Sequence, residues 1–170
     1  NVLDFLHLVH HMKRIERFKD MPFWKESDVQ RWDSNAEHTF RVSLMALALK
    51  PYLEKKYDFK KLLTMILIHD LVEVLINDKF PFKDEDGSYS LPENYSPDSP
   101  EDELPAFKKI VSSLTPEIQG DFFQLFREFV AAEMGQDTSN EAQLAVALDR
   151  IEASLQVSDY IKLGEFKIIK

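Results

Sequence analysis

Two histidines of this 170-residue chain stand where chemistry is possible. His69 lies in the apolar run ILIHDLVEV and is followed at once by Asp70. An ionised carboxylate among Ile, Leu and Val is costly unless it is paired or bound to a cation. Glu73 follows His69 by four positions and Asp70 by three, so on a helix it shares their face. His38 sits in SNAEHTF, just past a helix start, and Asp149 interrupts a second apolar run, LAVALDRI. His38, His69, Asp70 and Asp149, from three helices, make an N2O2 donor set for one divalent ion. Imidazole suits Zn, Co, Ni, Cu, Fe and Mn to differing degrees, whereas carboxylates move the preference toward harder ions such as Mn. The residue types select no single metal. Water beside such an ion becomes a nucleophile near neutral pH. Satisfied structural histidines follow the same spacing, so at this level a metal centre and an ordinary core remain open alternatives.

Composition narrows the classes. The formal net charge is −9, which disfavours a nucleic acid polymer as partner and leaves a small anion held by local cations. There is no cysteine, hence no disulfide, no thiolate ligand and no cysteine nucleophile. Only four glycines occur, and no phosphate-cradling Gly-rich loop can be built from them. No apolar stretch reaches the roughly 20 residues that span a bilayer. The N-terminal NVLDFLHLVHHMKRIERF does not read as a signal peptide. A cytoplasmic protein without membrane contact is expected.

The elements that must position these residues read as helices. Leu3, Leu6, Val9, Met12 and Ile15 predict an amphipathic helix over 2–18. Ser34 and Glu37 form a capping box that opens the helix carrying His38, with a bend or break expected before Pro51. Asp58 caps a helix over 59–76 that carries His69, Asp70 and Glu73. Residues 81–105 are rich in Pro and acids and read as a loop. Thr115–Pro116 opens a further helix, and Thr138 with Glu141 opens the last, which carries Asp149 and stops near Gly164. With no competing strand pattern, the expectation is an all-α protein, a single helical domain spanning 1–170.

The ordered segments AEHTFRV, ILIHDLVEVLIND and ALDRIEASLQ follow the pattern H…HD…D. They resemble the HD-domain metal-dependent phosphohydrolases, and most closely the bacterial 5′-deoxynucleotidase branch. The resemblance implies a helical HD bundle, one divalent metal ion, a homodimer and hydrolysis of the phosphate monoester of (deoxy)nucleoside 5′-monophosphates. It assigns His38, His69, Asp70 and Asp149 as metal ligands and Glu73 and Asp78 as catalytic acids. In MKRIERF, Arg17 takes the place of the phosphate-binding arginine. Phe18 takes that of an aromatic residue, usually Trp, beside the nucleoside. Lys13 and Arg31 are secondary phosphate-contact candidates, and Phe122, Phe123, Phe126 and Phe129 read as core or as a dimer face. The chain departs from the branch in Phe18, in extra residues between Arg17 and His38 and in the acidic 84–104 segment. HD proteins of similar size cleave other phosphoesters, including nucleoside triphosphates and pyrophosphates, and that is the alternative activity. A metal-stabilised interaction module without turnover is the alternative of another class.

Overall fold

A computed structural model describes residues 1–18, 29, 31–53, 56–76 and 100–163, with the backbone alone for 100–102. Among them are seven α-helices: α1 (Val2–Val9), α2 (Asn35–Leu53), α3 (Phe59–Ile68), α4 (Glu73–Ile76), α5 (Pro100–Val111), α6 (Pro116–Glu133) and α7 (Asn140–Lys162). No strand occurs among the described residues, only an isolated antiparallel bridge between Glu16 and Ser34.

Local rules place several helix starts. Ser34 and Glu37 make the expected capping box: Glu37 Oε2 accepts from the Ser34 N–H at 2.9 Å, and Ser34 Oγ accepts from the Glu37 N–H at 3.3 Å. Asp58 Oδ1 accepts from the Lys61 N–H at 3.1 Å and so starts α3. Thr115 takes the extended cap conformation ahead of Pro116, although its hydroxyl makes no capping bond. The cap of α7 is Ser139, which accepts from the Ala142 N–H at 3.3 Å, one residue past the expected Thr138.

Tertiary bonding overrides the pattern elsewhere. The first helix ends at Val9, tightens into a 3-10 turn over His10–Arg14 and turns extended at Ile15, well short of residue 18. The Arg17 N–H donates to Asp33 O at 2.9 Å and the Asn35 N–H to Ile15 O at 3.0 Å. These cross-chain bonds take groups that a continued helix would use. Conversely, α2 passes through Pro51 to Leu53 without the expected break. Pro51 lies in its last turn and Leu47, four residues back, is 46% exposed, so the carbonyl left without a partner can face water. Residues 100–105 belong to α5 rather than to a loop, since Leu104, Phe107, Ile110 and Val111 share a packed face. The rest of the acidic segment, Asp78 and the EFKIIK end lie outside the described residues.

Two packed clusters meet along α3. Val42, Ala46, Leu62, Met65, Ile66, Phe129 and four residues of α7 form one. Met12, Ile68, Leu71, Val72, Phe107, Phe126 and their neighbours form the other. Between Ile66 and Ile68 the chain passes from one cluster to the other, and the next residue is His69.

Candidate metal centre

The helix predicted over 59–76 is interrupted where the chemistry sits. Residues His69–Val72 form a 3-10 turn between α3 and α4. At three residues per turn, Asp70 and Glu73 are aligned, a tighter relation than an α-helix gives. His69 is 5% exposed, and its ring packs 5.1 Å from that of Phe129. Its Nδ1–H donates to Ile66 O at 2.7 Å, so the ring is fixed and Nε2 is turned inward.

His38, in the first turn of α2, is 1% exposed and reaches the same place. One Asp149 oxygen lies 2.8 Å from His38 Nε2 and 3.6 Å from His69 Nε2. Asp70 contributes one oxygen 3.3 Å from His69 Nε2 and the other 3.7 Å from His38 Nε2. Despite the short separations, His38 Nε2, His69 Nε2 and Asp149 Oδ1 are all buried with no hydrogen-bond partner. These atoms converge on a common space. Three orphaned atoms of this kind are costly in a core, and a divalent ion would satisfy all of them at once. The donor set therefore fits a metal. His38, His69 and Asp70 alone bring ligand atoms within 4.8 Å of one another.

Electrostatics agrees. Burial opposes charge on His69, but Asp70 and Asp149 outweigh it and push the imidazole up to about 9. Burial alone would raise Asp149, yet the close His38 and His69 hold its carboxyl well below the usual carboxylate range.

A cavity of about 160 Å³ opens beside the cluster, lined in part by Arg17, Phe18, Asn35, His69, Asp70, Glu73 and Asp149. Arg17 Nη1 donates to Asp70 Oδ2 at 2.9 Å, and its guanidinium carbon lies 5.4 Å from the centre of the Phe18 ring. Phe18 has φ 63°, a left-handed conformation rare for a bulky residue. Phe126 and Phe129, expected as core or dimer face, are core residues that also line this cavity. Arg31 pairs instead with Glu37, away from the cavity lining, and Lys13 lies outside that lining too.

A family model described as HD domain matches residues 15–167. The chain belongs to the HD-domain family. With this membership and this site, it is a metal-dependent phosphohydrolase. Human 5′-deoxynucleotidase HDDC2 is 26% identical over 160 residues, covering 94% of this chain and 68% of that one. A crystal structure of a Pyrococcus horikoshii OT3 protein superposes with a TM-score of 0.65 at 28% identity, covering 97% of this chain and 82% of the other. A Magnetospirillum magnetotacticum protein described as a predicted metal-dependent phosphohydrolase shares the fold, with a TM-score of 0.64 at 24% identity over 91% and 68% of the two chains.

The HD site extends beyond the residues legible in the sequence. Glu152, 2% exposed, places Oε2 against His38 Nδ1, and its Oε1 lies 3.2 Å from Arg41 Nε. Arg41 also donates to Asp159 Oδ2 at 2.9 Å. The chain of contacts runs from a cation through a buried acid to an imidazole, the usual outer support of a metal-bound histidine. The available signal was spacing: Glu152 follows Asp149 by one helical turn, and Arg41 follows His38 by three residues.

Proposed function

We propose that this HD phosphohydrolase cleaves the phosphate monoester of (deoxy)nucleoside 5′-monophosphates. The observation that carries the reading is the shared cavity: Arg17, Phe18 and Glu73 line it with His69, Asp70 and Asp149. His38, His69, Asp70 and Asp149 would hold one divalent ion. When bound, such an ion supplies Lewis acidity toward phosphoryl oxygen and water. Arg17 binds and neutralises the phosphate, offsetting the net charge of −9 locally. Glu73 orients the attacking water and accepts its proton as the bond from phosphorus to the 5′-oxygen breaks. The leaving oxygen takes a proton from Glu73 or from Asp78, the second acid of the reading. Phe18 offers an apolar face to the nucleoside.

The deoxynucleotidase name of the human relative supports the substrate class. The same reading makes the protein a cytoplasmic homodimer that binds no membrane and no nucleic acid polymer, folded as a single domain over 1–170. In support, no described helix is long and apolar enough to cross a membrane. Phe40, 62% exposed, and Leu44 and Leu47 at helical spacing after it offer α2 an apolar face for a second copy. The test is a screen of nucleoside mono- and triphosphates with Mn, Co, Fe, Ni, Zn or Mg. Orthophosphate release from a deoxynucleoside monophosphate, absent in His69→Ala, is the expected result. Pyrophosphate release from a triphosphate would move the assignment to that substrate. No turnover above the His69→Ala control would leave a metal-stabilised module.

A further inference from the structure

One polar side chain beside the centre has no structural use. Asn35 opens α2 and is 1% exposed, and neither its Oδ1 nor its Nδ2 has a hydrogen-bond partner. Helix capping does not require it, because Ser34 and Glu37 already form the capping box. Its backbone N–H is committed to Ile15 O. The fold gives up stability to keep a carboxamide buried without partners. The side chain lines the cavity that also holds Arg17 and Asp70.

Charge decides what this amide is for. The cavity wall carries five carboxylates: Asp70, Glu73, Glu103, Glu133 and Asp149. Among the described lining side chains other than His69, the N–H donors are those of Arg17 and Asn35. Arg17 is already engaged by Asp70. A second cation in such a wall would be captured by a carboxylate. A neutral amide escapes that capture and keeps its N–H for an incoming anion. The Glu16–Ser34 bridge, with its backbone bonds from Arg17 to Asp33 and from Asn35 to Ile15, ties the two donors to one wall.

We propose that Asn35 is a phosphoester-binding residue whose Nδ2 donates to a non-bridging phosphate oxygen beside Arg17. This rests on the phosphohydrolase reading above. Two variants of the full chain test it: Asn35→Leu, of similar volume without polar atoms, and Asn35→Asp, of the same shape with a charge. Inorganic phosphate binding to the metal-loaded protein is measured by calorimetry, beside KM and kcat for a deoxynucleoside monophosphate. Phosphate affinity should fall about 10-fold in Asn35→Leu and roughly 100-fold in Asn35→Asp. KM should rise in proportion, with kcat nearly unchanged, as expected for a uniform binding contact. Affinity of Asn35→Leu for the divalent ion should not change. The Tm of metal-free Asn35→Leu should equal or exceed that of the unaltered protein, which a structurally bonded asparagine would not allow. If the unaltered protein turns over nucleotide and Asn35→Leu binds phosphate equally well, or melts lower, the assignment of Asn35 falls alone. Should the unaltered, metal-loaded protein neither bind nor release phosphate, the phosphohydrolase reading falls and takes this inference with it. If Asn35→Asp does not fold, Asn35→Leu decides.

Discussion

The two sides of the cavity are built differently. On the metal side, His38, His69 and Asp149 project from helices or from a turn braced between two helices. Each imidazole has its outer nitrogen committed, one to Glu152 and the other to Ile66 O. On the phosphate side, Arg17 and Phe18 stand in a bend just past a single bridge, and Phe18 takes a left-handed backbone. Asn35 offers an amide that nothing in the fold satisfies. Both sides hold buried polar atoms for a ligand to complete, but the imidazoles of the metal side are braced at their outer nitrogens whereas the Asn35 amide has no brace. Preorganisation of this kind concentrates rate in the first region and affinity in the second.

The largest effect should come from breaking the metal side. Asp149→Asn keeps the shape but removes the negative charge that both imidazoles face. Phosphate release should fall roughly 10³-fold or more, with loss of the divalent ion on dialysis. Metal analysis by mass spectrometry alongside the phosphate assay checks this. Retained metal at full stoichiometry would remove Asp149 from the ligand set.

A second prediction uses protons to sharpen the contrast. Asp70 and Asp149 push His69 up to about 9, so near pH 7 a proton on the imidazole should compete with the ion. Ion affinity should drop about 50-fold between pH 9 and pH 7, with the slope approaching about tenfold per pH unit well below 9. The stability of the metal-free protein runs the other way. The folded value lies above the ordinary 6.5, so the contribution of charged His69 is complete below 6.5 and is lost as pH rises through 9. Metal-free Tm should fall across that window while metal-loaded Tm should not. Titration calorimetry in two buffers of different ionisation enthalpy reads the released proton directly. A pH-independent affinity would mean that His69 is neutral before the ion arrives.

What the sequence disclosed follows the same division. His38, His69, Asp70 and Asp149 are conspicuous because each puts a polar group into an apolar helix, and the cost of that can be reasoned from the sequence alone. Ser34 and Glu37 obey a rule confined to four residues, so the start of α2 is legible too. Glu152 and Arg41 go unnoticed in the sequence, because the acid's partner His38 lies 114 residues away in the chain. Asn35 reads as part of a cap, and only burial without a partner sets it apart. The first helix is expected to be too long because Met12 and Ile15 keep the apolar period. The backbone bonds to Asp33 and Asn35 that end it belong to tertiary structure.

The finest test of the comparison lies one shell out from the metal side. Glu152→Gln keeps an oxygen able to accept from His38 Nδ1, so the ring stays oriented while the negative charge behind it is lost. Arg41, 3.2 Å from Glu152 Oε1, then faces a neutral amide but keeps its 2.9 Å partner Asp159. Affinity for the divalent ion should fall roughly 10-fold, at the low end of what loss of such outer partners costs. KM for the nucleotide should stay nearly unchanged, because Glu152 lies outside the cavity lining. The electronic spectrum of a Co(II)-substituted protein should shift, reporting weaker donation from His38. Arg41→Gln should change ion affinity less than Glu152→Gln, since it acts through the acid. Adding it to Glu152→Gln should then cost little more, because removal of the acid has already cut the contact between them. Additive losses in the double variant would show that Arg41 and Glu152 support the centre independently, and that the path from Arg41 through Glu152 to His38 is not one unit.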